Sequence, residues 1–165
     1  FWFNPNIHPY TEYQARKRTL EEYAKEIGMK LAVGGTYDLR PFITAVAGDI
    51  DGRCAYCYRV RMEATAKYAA ENGFNSFTTS LLISPYQNHN GIAAAAREMG
   101  ERYGVAFLYR DFRPLFQEGQ QFARDHGFYM QKYCGCIFSE EDRYMAAKRK
   151  KKRTGPCASG GKEVY

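Results

Sequence analysis

Residues 54–79, CAYCYRVRMEATAKYAAENGFNSFTT, carry the pattern on which the fold reading turns. From Cys54 to Asn72 the residues are good helix formers, and Gly73 stops the run where a left-handed cap is wanted. Phe74 to Thr79 is then a β-rich run. A helix closed by glycine and followed at once by a strand is a unit of an α/β fold. The alternation extends in both directions. Upstream, Phe1 to Phe3 reads as a strand end, and Asn4 to Pro9 as a loop because each proline disfavours helix in the residue before it. A helix follows with Thr11 as its cap, with Tyr13, Leu20, Tyr23, Ala24 and Ile27 at helical spacing and Gly28 as its stop. Met29 to Val33 reads as a strand and Asp38 to Val46 as a helix. Downstream come a loop over Ser80 to His89, an alanine-rich helix over Asn90 to Tyr103 and a strand over Val105 to Tyr109. Helices over Pro114 to His126 and Ile137 to Lys150 complete the series, the last with Ser139 as its cap. The expected fold is α/β, with a mainly parallel Rossmann-like sheet flanked by helices.

A chain of 165 residues with 45% hydrophobic and 16% aromatic side chains can bury one core without disulfide support. No apolar run approaches the length that spans a bilayer, and Phe1 to Pro5 lacks the basic start and apolar stretch of a signal peptide. The expectation is a soluble, cytoplasmic protein with no membrane partner. The net charge of +6 is concentrated at one end: from Lys148 to Tyr165 stand seven of the 24 Lys and Arg residues, against Glu163 alone. Residues 1–147 therefore read as one balanced domain, and residues 148–165 as a basic, disordered tail. A solvated appendage and an RNA-binding arm fit that tail equally well.

Cys54-Ala55-Tyr56-Cys57 and Cys134-Gly135-Cys136 contain four of the five cysteines. Close-spaced thiols serve metal, iron-sulfur or redox chemistry more often than packing, and this pairing fits a reducing compartment better than a secreted disulfide scaffold. Cys54 and Cys57 should lie at a helix N-terminus, where free N–H groups favour thiolate, with Arg61 on the same face. Gly135 gives the second pair the freedom to bend, so a disulfide there would be strained and easily reduced. Four thiolates meeting in space could also hold a structural zinc.

Five ordered blocks go further. Phe3 to Tyr13 (FNPNIHPYTEY), Arg53 to Ala66 (RCAYCYRVRMEATA), Phe77 to His89 (FTTSLLISPYQNH), Tyr109 to Arg113 (YRDFR) and Tyr129 to Cys136 (YMQKYCGC) closely resemble the epoxyqueuosine reductase family of the QueH type. The resemblance implies an iron-sulfur oxidoreductase that reduces epoxyqueuosine to queuosine at the wobble position of tRNA, the last step of queuosine biosynthesis. Cys54 and Cys57 match the ligands of a [4Fe-4S] cluster, and Cys134 and Cys136 match a redox-active pair or the ligands of a second metal ion, iron or zinc. The partners implied are a tRNA carrying epoxyqueuosine and an unidentified electron donor. Members of the family also have an earlier strand and loop with adjacent cysteines. This chain starts just after that element, so the family's first strand and helix are expected to be missing here, and catalysis is expected of the complete protein.

Within that frame, His8 could donate a proton or contact substrate, although a histidine between prolines is as often a loop residue bonded to backbone. Tyr10, Tyr86 and Tyr133 could stack on the modified base or its neighbours, against a core role for each. Arg59, Arg61, Arg110 and Arg113 are candidates for phosphate or cluster charge, against ordinary surface ion pairs. The competing readings of the whole chain are a non-catalytic zinc-binding, RNA-associated module and a metal-free thiol-disulfide oxidoreductase.

Overall fold

The computed structural model describes residues 1–4 and 6–153, with side chains as far as Met145. Its spine is a pair of packed helices, α3 (Arg53–Glu71) and α4 (His89–Tyr103). The buried residues of α3, Tyr58, Met62, Ala66 and Ala69, recur at intervals of four, four and three and so form one face. Ala95, Ala96 and Met99 of α4 join them in one core cluster. Alanines let the two helices approach closely, while Met62 and Met99 fill the remaining space with flexible side chains. Leu82, from a 3-10 turn over Ser80–Ile83, and Phe77 close the cluster from the side.

The strands are short and parallel. β1 (Trp2–Phe3) pairs with β2 (Ala32–Val33), and β3 (Ser76–Phe77) pairs with β4 (Ala106–Phe107). α1 (Tyr10–Glu26) and α2 (Leu39–Val46) accompany the first pair. α5 (Phe116–Asp125) and α6 (Ile137–Arg153) follow the second. A smaller cluster of Phe3, Ile7 and Tyr13 packs beneath β1.

The α/β class and the parallel pairing agree with the sequence reading. The single continuous sheet does not: the described residues form two separate two-stranded sheets. Strands must lie about 4.8 Å apart to share hydrogen bonds. Here Phe1 to Phe3 and Ser76 to Phe77 instead stand on the walls of one cleft of about 1170 Å³.

Gly28 and Gly73 end α1 and α3 with φ of 66° and 72°, as expected of left-handed stops. Thr11 is not the cap of α1; Pro9 occupies that position and Thr11 lies inside the first turn. Asn88 caps α4 through its side chain, which accepts from the Gly91 N–H, so that helix starts one residue earlier than read. α6 continues through Lys148 to Arg153. The remainder of the basic tail, with Cys157, lies outside the described residues. No helix among the described residues is long and apolar enough to cross a membrane.

Candidate active site

Cys54 and Cys57 occupy the first two turns of α3, and Arg61 follows Cys57 by four residues, on the same side. The Gly52 cap supplies no side-chain acceptor, and the N–H groups of Arg53 and Ala55 go instead to the Ile50 and Gly52 carbonyls at 3.3 and 3.0 Å. Two donors meet the Cys57 sulfur: Arg61 Nε at 3.3 Å and Asn6 Nδ2 at 3.4 Å. The far nitrogen of Arg61 also donates to the Asn6 carbonyl. Asn6 is only 2% exposed, and its N–H is held by Asn4 Oδ1 at 2.8 Å. This pair of donors suits a sulfur that carries negative charge.

The second pair lies in the loop between α5 and α6. Gly135 has φ of 110°, which a side chain would strain, and this bend lets both neighbouring cysteines turn toward α3. Cys136 immediately precedes α6, and its carbonyl accepts from the backbone N–H groups of Ser139 at 3.0 Å and Glu140 at 3.1 Å. Cys136 thus occupies the cap position expected of Ser139, which sits inside the first turn. Ser139 Oγ donates to the Cys136 carbonyl at 2.7 Å and lies 3.0 Å from Cys134 Sγ. Both cysteine pairs therefore stand at helix N-termini, where the positive end of the dipole favours thiolate.

The tertiary structure brings the two pairs together. Cys54 is exposed, yet partial desolvation by its surroundings raises its thiol above the ordinary value; Arg53 opposes this, and Cys134, Cys57 and Cys136 add to it. The Cys136 thiol is also raised, first by burial, against the N–H groups of Ser139 and Phe138, with Cys134 and Cys57 adding their charge. All four are free thiols. Among the described residues no three His, Cys, Asp or Glu side chains close around one ion. Cys54 and Cys57, with the Asn6 and Arg61 donors beside the Cys57 sulfur, suit chemically a pair of thiolate ligands to an iron-sulfur cluster.

Arg53 is the residue that sequence reasoning missed. Its positive charge acts on both Cys136 and Cys54, and its side chain donates to the Ile50 carbonyl at 2.9 Å. It also donates to Asp142 Oδ2 at 2.6 Å and stacks over Phe138, tying α6 to α3. The signal was its place directly before the CxxC. Tyr58, one turn beyond Cys54, is a second: its hydroxyl donates to Gln87 Oε1 at 2.9 Å and accepts from the Asn88 N–H.

The residues proposed for substrate are dispersed. Arg61 and Tyr86 line the same cleft as Cys54 and Cys134, and Tyr86 is 84% exposed, edge-on to Phe116. Tyr133 also lines the cleft. His8 is fully buried among Phe42 and Tyr37, with Nε2 3.4 Å from Asp38 and Nδ1 without a partner. Its backbone, not its ring, reaches the second cysteine loop, through its N–H to the Gly135 carbonyl at 2.6 Å. Tyr10 is exposed, accepts from Gln14 and stands outside the cleft lining. Arg110 is exposed over the Phe112 ring, also outside that lining. Arg113 forms the surface pair that its alternative reading describes: its side chain and N–H hold the Asp111 carboxyl down at about 2.

Comparison with known proteins identifies the family. The family model described as epoxyqueuosine reductase QueH matches residues 1–142. The epoxyqueuosine reductase QueH of Dehalococcoides mccartyi is 35% identical over 144 residues, covering 87% of this chain and 79% of the relative. That of Thermotoga maritima is 36% identical over 148 residues, with 84% and 77% covered. The Helicobacter pylori protein of the same name is 34% identical over 151 residues, which are 84% of this chain and 41% of that longer relative. With the family's match running through both cysteine pairs, the chain belongs to the epoxyqueuosine reductase QueH family of oxidoreductases.

Proposed function

We propose that the complete protein to which this chain belongs reduces the epoxide of epoxyqueuosine to the alkene of queuosine at the wobble position of a tRNA. In this reading Cys54 and Cys57 are ligands of a [4Fe-4S] cluster, and Cys134 and Cys136 are a redox-active pair or the ligands of a second metal. One observation carries it: Cys54 and Cys134, one cysteine from each of two pairs in distant segments, line the same cleft of about 1170 Å³, in a chain of this family. The same reading takes the two parallel strand pairs as parts of one Rossmann-like arrangement. A tRNA substrate makes the cytoplasm the expected compartment.

Removing the epoxide oxygen as water consumes two electrons and two protons. When bound, the cluster supplies electrons singly from an external donor, and a second metal supplies a Lewis acid. The chain's own groups do the rest. Asn6 and Arg61 orient Cys57 and offset charge on its sulfur. Cys134 and Cys136 can themselves give up two electrons and two protons by closing into a disulfide, which balances loss of the oxygen as water and leaves an external reductant to reopen them. Arg53 stands beside Cys136, where it can steady negative charge. The cleft takes the nucleotide, with Tyr86 as a stacking face and Arg61 at its inner wall. Tyr10 and Arg110 would meet flanking parts of the tRNA, and His8 would act from beneath the site.

The test is iron, acid-labile sulfide and a visible spectrum on anaerobically purified protein, with turnover of an anticodon stem-loop bearing the epoxide. Iron and sulfide in equal amounts, lost in Cys54→Ser, are expected. Cys136→Ser should abolish turnover and keep the cluster absorbance; loss of both would make Cys136 a cluster ligand. Zinc without sulfide would overturn the reading in favour of a structural site.

A further inference from the structure

The loop that carries Cys134 and Cys136 is held from one side, by α1 and the segment before it. Arg16 Nη2 donates to the Tyr133 carbonyl at 2.7 Å, and Nη1 to the Cys134 carbonyl at 3.1 Å. The guanidinium also lies over the Tyr133 ring, 5.6 Å from its centre. The Tyr133 hydroxyl donates to the His8 carbonyl at 2.9 Å. Arg16 is itself fixed. Glu12, 7% exposed, accepts from it at 2.7 Å, and the second oxygen of Glu12 accepts from the Tyr129 hydroxyl. A side chain on Gly135 would come within 3.1 Å of Arg16 Nη1, so the guanidinium fits directly against the bend between the cysteines. The same stretch of chain reaches the other pair, because Asn6 donates to the Cys57 sulfur.

A half-buried arginine that spends its donors on two loop carbonyls and a buried carboxylate is not an ordinary surface ion pair. Its bonds go to the backbone on either side of Tyr133 and Cys134, which fixes where the thiols point without touching them. We propose that Arg16, locked by Glu12, is a positioning residue of this site: it sets the Cys134-Gly135-Cys136 loop against α1 so that its thiols stand beside those of α3. The assignment deepens the reductase reading, and only its turnover arm rests on that reading.

Two measurements test it on the full chain. In turnover of the epoxide-bearing stem-loop, Arg16→Met should lower kcat roughly 10- to 100-fold, as loss of an orienting partner does. KM should stay near the wild-type value, since Arg16 does not touch substrate, and Arg16→Lys should recover part of the loss. The second measurement needs no turnover. In a Cys57→Ser, Cys136→Ser, Cys157→Ser background, dibromobimane fluoresces on bridging Cys54 to Cys134; Arg16→Met should slow that bridging severalfold, and Glu12→Gln should slow it in the same direction. Unchanged kcat and unchanged bridging in Arg16→Met would overturn the proposal. So would equal loss in Arg16→Lys with a collapsed melting transition, which would mark a general fold role. Should Arg16→Met not fold, Tyr133→Phe removes the bond to His8 instead, and undiminished bridging there would also overturn it. Slowed bridging in a protein whose wild type turns over no stem-loop would sink the reductase reading and leave the positioning role standing.

Discussion

Cys57 shows how a single sulfur is prepared by its neighbours. Asn6 and Arg61 approach it from segments 51 and four residues away, and Arg61 also holds Asn6 in place. The i to i+4 relation between Cys57 and Arg61 was legible in the sequence, because helical spacing alone puts them side by side. Asn6 was not, since nothing local says that a loop asparagine will reach a distant helix. Arg53 was hidden for a similar reason: its partners Asp142 and Phe138 arrive only when α6 packs. Tyr86 is the residue whose function is most directly testable. Stacking on a base is worth about 1–3 kcal/mol, so Tyr86→Ala should weaken stem-loop binding by that amount, while Tyr86→Trp preserves it. Unchanged affinity in fluorescence titration would remove Tyr86 from the substrate site.

At the level of elements, helices were read well and strands poorly. α3 declared itself through a long run of helix formers, one apolar face and a glycine stop. The strands cover two residues each, so a β-rich run such as Phe74 to Thr79 marks the place but not the length. The cap of α6 was misread because Ser139 fits the usual preference, while a cysteine in the capping place departs from it. The α3–α4 contact is the mechanical base of the site, for Cys54 and Cys57 ride on α3. Met99→Ala should cost about 2–5 kcal/mol, as expected for a fully buried methionine whose space is left empty. Urea unfolding checks this; a change well under 1 kcal/mol would mean that the core closes over the gap.

The whole molecule combines a charge-balanced body with a basic end. If the run from Lys148 to Arg153 binds RNA, truncation after Ala147 should weaken stem-loop binding and flatten its salt dependence, by roughly 0.7–0.9 in the log–log slope for each phosphate no longer neutralised. An identical slope in both forms would make the tail a solvated appendage. The cleft is likewise a property of the whole. Its walls come from β1 and β3, from α3 and from the loop before α6, and no one of these segments contains it.

The sequence by itself determined the family, the α/β class, the position of most helices and the two cysteine pairs. These rest on local spacing, on composition and on ordered motifs, all readable along the chain. Only the tertiary structure decided that Cys54 and Cys134 line one cleft, that Cys136 stands in the cap position of α6, that Arg53 ties α3 to α6 through Asp142 and that His8 is buried. Each of these joins groups whose meeting depends on packing, and such contacts exist only once packing has chosen which surfaces touch.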